Sequence, residues 1–488
     1  MGRGTGTMWT GYGQRVSARI AGHPSEWSVV VLTRPLEPGV KLVDGAGKSM
    51  NRTPRRVVIT GIGIVSPLGN TKEALWNALV DGRSGVGPMT VVPHGCLPMD
   101  YAAEAREFRG VIDDFGPLSK DQKKAIRKNL KVMCRECQMG VAAAQWALTD
   151  AGLQPGSLDP ERTGVSFGSD LMLTAPEDFT EGILECLDEH GEFHFSRWAP
   201  QGMPHLAPLW LLKYLPNMPA SHVAIFNQFW GPNNSVTQRE ASPGIAVGEA
   251  FHIIAEGRAD VMLCGATGTR LGTMWVIRAV RQEEVAAGHG DPAAASRPFD
   301  RRRRGMVLGE GAGAVVLEEL GAAQRRGATI YGELIAEASS CVAESPLRPR
   351  RDLAVRNTLA RLLAQSGLKP EEVGHLNAHG LATRSGDREE AWAIDHVFGQ
   401  RNQPLPVVAV KSSFGNLGAG SGMVELAASL LSLTHRRLFP VLNYETPDPE
   451  CPVQVATDPS MEPGNSFIKL NVTPQGQASG LLVRLYEG

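Results

Sequence analysis

From Arg56 onward, short β-branched apolar runs alternate with helical stretches, and this alternation constrains the fold more than any other feature. Val57-Val58-Ile59-Thr60-Gly61-Ile62-Gly63-Ile64-Val65 has the length and branching of a buried strand. A short amphipathic helix is expected over Lys72–Gly82 and a long helical tract over Ser119–Gly152, basic at first and then apolar. Strands are expected over His222–Phe229 and Ala259–Thr267, with a helix over Pro243–Gly257 between them. The second half repeats the order: strands over 313–320 and 329–339, a helix over 352–367, a strand end at 375–380, a helix over 387–399, a strand over 407–412, a helix over 421–437 and a closing strand over 480–485. Such alternation implies α/β architecture with parallel sheets. The halves match in element order, not in residue identity. Residues 170–219 are rich in His, Trp, Pro and Met and read as an excursion covering the core.

Composition removes several classes of function. A net charge of −2 over 488 residues leaves no basic footprint for nucleic acid. Seven scattered cysteines make no disulfide framework and suit a reducing cytoplasm. No uncharged apolar run approaches the about 18 residues of a membrane span. Residues 1–53 read as a disordered N-terminal extension, with Met50 as an alternative initiator. The extension lacks the apolar stretch of a secretory signal, and Glu26, Glu37 and Asp44 weaken an organellar-leader reading.

Two glycine patterns invite a dinucleotide reading. Gly61-Ile62-Gly63 follows a strand, but Pro67 interrupts what should become a helix. Gly309 to Gly313 leads into a strand instead of a helix. Tight-turn glycines explain both better. Taken in order, other segments carry a stronger signal: Ser66-Pro67-Leu68-Gly69 after the first strand, Ser296-Arg297-Pro298-Phe299-Asp300 with Gly309-Glu310-Gly311-Ala312-Gly313, Asn377-Ala378-His379-Gly380 with Thr383 and Gly386-Asp387, and Val410-Lys411-Ser412 with Gly415. In this spacing the chain resembles the elongating β-ketoacyl-acyl carrier protein synthases over Arg55 to Gly488. The resemblance implies a thiolase-like five-layer αβαβα sandwich of two similar βαβαβαββ halves, here 54–305 and 306–488, normally a dimer.

The same resemblance implies a cysteine nucleophile at a helix N-terminus, where the thiolate is favoured and can hold an acyl chain as a thioester. That turn runs Ser235-Val236-Thr237-Gln238-Arg239-Glu240-Ala241-Ser242-Pro243-Gly244, with Ser242 expected as N-cap and Pro243 as first helical residue. Counting from Gly231-Pro232, the cysteine position holds Glu240, and no cysteine lies within twenty residues of it. A carboxylate attacking a thioester would give an anhydride, too reactive to store a chain. His379 matches the first family histidine, whose role is to donate a hydrogen bond to the thioester oxygen as malonyl loses carbon dioxide. The second family histidine is replaced by Asn416, which can donate but cannot carry a proton. Lys411 is retained, and with Glu240 nearby it is a candidate for a buried ion pair. Thr383, Gln475 and Gly476 fall at substrate-binding positions; Gln475 stands where the family has a gating phenylalanine, and Leu381 replaces a threonine.

Weaker signals remain. Arg301, Arg302, Arg303 and Arg304 form a run that reads as a solvated turn or as a dock for an acidic carrier protein, with Lys124 and Lys128 on a second basic face. Cys134-Arg135-Glu136-Cys137 reads as ordinary helix cysteines, and His190, His194 and His205 lack ligand spacing, so no metal is expected. Three activities stay open: a non-condensing partner similar to the chain-length factors of type II polyketide systems, a malonyl-carrier-protein decarboxylase using His379 and Asn416, or a condensing acyltransferase with an unrecognised thiol. Each acts on or near phosphopantetheine-linked acyl groups of an acyl carrier protein, without a bound cofactor, in a homodimer or beside a cysteine-bearing ketosynthase.

Overall fold

The computed structural model describes residues 54–154, 156–345 and 347–488; the extension over 1–53 lies outside the described residues. Two runs of βαβαβαββ carry the architecture. The first comprises β1 (Val57–Val65), α1 (Arg135–Asp150), β2 (Thr163–Ser169), α2 (Met218–Asn227), β3 (Asn233–Thr237), α3 (Ser242–Ala255), β4 (Val261–Thr269) and β5 (Glu310–Glu319). The second comprises β6 (Gly332–Cys341), α4 (Arg351–Ser366), β7 (His375–Asn377), α5 (Arg384–Phe398), β8 (Pro406–Val408), α6 (Ser421–His435), β9 (Ser466–Val472) and β10 (Gln477–Arg484). The strands lie in the order β3-β2-β4-β5-β1 in the first and β8-β7-β9-β10-β6 in the second. These are one order used twice, so the halves match in strand order as well as in element order.

Each half has a parallel core, β3-β2-β4 or β8-β7-β9, flanked by antiparallel strands. The halves join where β1 pairs antiparallel with β6 at Val57, Val58 and Ile59. Helices α3 and α6 contact strands of both halves and form the middle layer. Helices α1 and α2 cover one outer face, and α4 and α5 the other, giving the five-layer sandwich. Every residue of β1 is buried, and α6 is buried from Ser421 to Leu433, as expected of elements covered on both sides.

Several expectations need correction. β5 pairs with β1 and β4, so the first half runs to Glu319, past the expected 305/306 division. His222–Phe229 is not a strand but the end of α2; Ala220, Val223, Phe226 and Asn227 are buried at helical spacing while Ile225 is exposed. The tract over 119–152 is two helices, Lys120–Asn129 capped by Ser119 and Gln122, then α1, with extended Met133 and Cys134 near the break. The strand expected over 407–412 stops at Val408, and Lys411–Phe414 is one helical turn. Gly61 and Gly63 sit within β1, not in a turn. A Cβ there would lie 2.3 Å and 2.0 Å from the carbonyl oxygens of Ala147 and Ala143, so glycine is what lets α1 pack onto the sheet.

Candidate active site

The turn between β3 and α3 places Glu240 in the interior, 1% exposed. Arg239 takes a left-handed backbone, φ 52°, and residues 239–241 make a 3-10 turn before α3. The helix therefore starts earlier than its serine suggests, and Ser242 is not its N-cap. The Ser242 hydroxyl instead accepts the Gln238 N–H at 2.7 Å and donates to the Ser169 carbonyl at 3.2 Å, tying the turn to β2.

Glu240 is held by two arginines. The Arg270 guanidinium, fully buried just after β4, donates to its carboxylate, and Arg239 Nε lies 3.3 Å from the second oxygen. Arg239 also pairs with Glu283 at 3.0 Å. Arg270 stacks over the Trp275 ring, 4.8 Å from its centroid, and lies 3.9 Å from Asp170. Burial pushes the Glu240 pKa up, but the charges of Arg239 and Arg270 outweigh it and hold the carboxyl well below its usual range. Three carboxylates thus face two guanidiniums, and burial raises the pKa of Asp170. The expected Lys411–Glu240 pair does not form.

Lys411 belongs to a second buried cluster. Its ammonium binds Glu425 of α6, and Lys469 of β9 takes the other Glu425 oxygen at 2.7 Å. Burial lowers the pKa of Lys469 to about 8 despite Glu425. Lys411 also donates to the His379 carbonyl at 2.9 Å and to His379 Nδ1 at 3.3 Å. An ammonium cannot accept, so Nδ1 is the acceptor and the imidazole proton sits on Nε2. Burial and the Lys411 charge push the His379 pKa well down, which keeps the ring neutral. Glu390 of α5 fixes the loop by accepting the His379 and Gly380 N–H groups at 2.6 and 2.8 Å.

His379 Nε2 is buried without a protein partner, and His379 lines a cavity of about 140 Å³ with Glu283, Met306, Leu381 and Thr383 among its walls. The Asn416 amide donates to Glu240 at 3.2 Å and lies 3.4 Å from Met306 Sδ. Glu240 thus pairs with Asn416, and His379 with Lys411. The site offers a neutral hydrogen-bond donor beside a small cavity, and an ion pair where acyl transfer needs a nucleophile.

Comparison with known proteins fits this geometry. Residues 54–323 match the family profile described as the β-ketoacyl synthase N-terminal domain, and residues 331–445 match its C-terminal domain. The chain belongs to the β-ketoacyl synthase family. Within it, the chain is 34% identical over 403 residues to 3-oxoacyl-[acyl-carrier-protein] synthase 2 of Synechocystis, covering 82% of this chain and 91% of the relative. It is 36% identical over 401 residues to the tetracenomycin polyketide synthase ketoacyl synthase alpha subunit of Streptomyces glaucescens, covering 81% and 89%. Among solved structures, the ishigamide ketosynthase/chain length factor superposes with a TM-score of 0.74 at 27% identity, covering 89% of this chain and all of that one. The thiolase-like ketosynthase fold is thus shared.

Other positions of this synthase-family chain depart from expectation. Gln475 is exposed and Gly476 packs against Val342 and Pro349; both belong to the tight turn joining β9 to β10 and neither lines the His379 cavity. The pairing of β9 with β10 continues to Val472 and Ala478, leaving five residues for the turn and no room for a mobile loop. Thr383 does line the cavity. The arginine run is not one patch. Arg303 is 2% exposed and bonds Asp448 and the Thr383 carbonyl, while Arg302 is tied to Glu445; Arg301 and Arg304 remain exposed, as do Lys124 and Lys128.

Arg270, Glu390, Glu425 and Lys469 were missed by sequence reasoning. For Arg270, Glu425 and Lys469 the signal was a charge inside or directly after an apolar run, as in Phe467-Ile468-Lys469-Leu470, whereas Glu390 sits in the charged run Asp387-Arg388-Glu389-Glu390. Among the described residues, no three His, Cys, Asp or Glu side chains converge as a metal site, and no helix is long and apolar enough to cross a membrane.

Proposed function

We propose that this β-ketoacyl synthase family member of fatty acid or polyketide biosynthesis is a non-condensing subunit, similar to a chain-length factor. It pairs with a cysteine-bearing ketosynthase and works beside the acyl chain of a carrier protein, with no bound cofactor. The observation that carries this reading is the buried Glu240–Arg270 pair. A condensing site must free its nucleophile for each acyl transfer, whereas breaking this pair would leave a charge buried and unpaired. Asn416, in the second histidine position, spends its amide on the same pair. The likeness to a ketosynthase/chain length factor structure supports the assignment.

A second reading, malonyl-carrier-protein decarboxylation, draws on one observation. His379 carries its proton on a buried, unpartnered Nε2 and lines the cavity, which suits it to donate to an enolate oxygen. A bare Glu240 carboxylate would repel the malonyl carboxylate, but Arg239 and Arg270 offset that charge.

One experiment separates them. The isolated chain is incubated with acyl- and malonyl-carrier protein, and then with a cysteine-bearing ketosynthase. The subunit reading expects no covalent acyl adduct by intact mass, no carbon dioxide release, and a stable complex with the ketosynthase. Carbon dioxide release by the chain alone favours the decarboxylase. An acyl group trapped on this polypeptide sinks both.

A further inference from the structure

The Cys134/Cys137 pair has a feature that its sequence does not disclose. Both thiols converge with the thioether of Met172, which enters from the excursion after β2. Cys134 Sγ lies 3.7 Å from Cys137 Sγ and 3.7 Å from Met172 Sδ, and Cys137 Sγ lies 3.8 Å from Met172 Sδ. The three sulfurs form a nearly equilateral triangle. A point equidistant from them lies about 2.2 Å from each, close to the about 2.3 Å of a metal–thiolate bond.

We propose that Cys134, Cys137 and Met172 form a three-coordinate site for a soft monovalent cation, Cu(I). This inference is independent of the function proposed above. Thiolate and thioether ligands together select Cu(I). Zn(II) would need a fourth ligand in a tetrahedron. The neighbouring acid, Glu136, already accepts the Thr269 N–H at 3.0 Å.

The surroundings suit the ion. Cys134 is the N-cap of α1 and its side chain caps no backbone N–H, so the unpaired N–H groups of the first turn favour thiolate charge there. Cys137 and Met172 are buried, whereas Cys134 is partly exposed and lines a cavity of about 190 Å³ that also touches Tyr214 and Trp275. The cavity provides the way in. On binding, each coordinating thiol gives its proton to solvent, three metal–sulfur bonds form, and no group changes oxidation state.

The test uses the full chain under anaerobic conditions, with an acetonitrile-stabilised Cu(I) salt titrated against a chromogenic Cu(I) chelator. One equivalent should bind, and X-ray absorption should show three sulfur neighbours. M172L should weaken binding about tenfold, and C134S or C137S should abolish it, with circular dichroism confirming that each variant folds. C96S/C341S, which removes the two exposed thiols, should bind as the parent does. Binding unchanged in M172L overturns the three-sulfur site. So does binding that survives in C134S/C137S, or a Cys134–Cys137 disulfide that forms in place of the metal complex.

Discussion

Arg270 and Glu240 form an ion pair with side chains 0% and 1% exposed, at the point where α3 leaves its 3-10 turn. The pair couples the end of β4 to the start of α3, and Asn416 joins it from the turn before α6.

Removing one partner should be far worse than removing both. R270L leaves Glu240 buried with only Arg239, and is expected to cost about 3–5 kcal/mol in urea unfolding. The double change E240L/R270M should recover most of that loss, because two well-packed apolar side chains need no charge compensation.

Restoring the nucleophile should restore one half of the chemistry. In E240C the thiol sits between Arg239 and Arg270, which favour the thiolate. Intact-mass analysis after incubation with acyl-carrier protein should therefore show an acyl adduct absent from the parent. Condensation should still fail, and should require N416H in addition, since asparagine cannot carry a proton.

Lys469 gives a pH signature. Its folded pKa, about 8, lies below the 10.5 of an ordinary lysine. Between these values the unfolded chain binds the extra proton, so this group makes stability rise with pH across pH 8 to 10.5. Below pH 8 the charged form is a net cost. K469M should be more stable than the parent at pH 7 by about 1 kcal/mol, leaving Glu425 paired with Lys411. The advantage should shrink as pH rises from 8 to 10.5. An advantage that stays constant across that range would refute the assignment.

G63A tests the approach of α1 to β1. The added methyl group would meet the Ala143 carbonyl oxygen at 2.0 Å, with no flexible side chain to yield. A loss of about 3 kcal/mol is expected in chemical denaturation. G327A, at a position with open space but φ 68°, should cost about 1 kcal/mol.

How far the residues announce the structure depends on what their neighbours contribute. β1 and α6 were legible because their apolar runs are long and buried on both sides, so local pattern and final environment agree. The second half of α2 read as a strand because Val223, Ile225 and Phe226 are apolar, and only the packing shows that Ile225 faces outward. β2, β3 and β9 were missed; β3 is short and polar, and its place is set by pairing with β2. At the site, His379, Lys411, Glu240 and Asn416 were legible through motif order. Their partners were not. Arg270 lies 30 residues from Glu240, and Lys469 lies 44 from Glu425, separations that carry no local pattern.

The middle layer has a consequence for folding. Because α3 and α6 each rest on strands from both halves, neither half owns a finished interior. Two fragments produced by cutting the chain between Glu319 and Gly332 would each present a naked apolar helix to water. They should gain structure only when mixed, so the ancestral repeat now survives as interdependence.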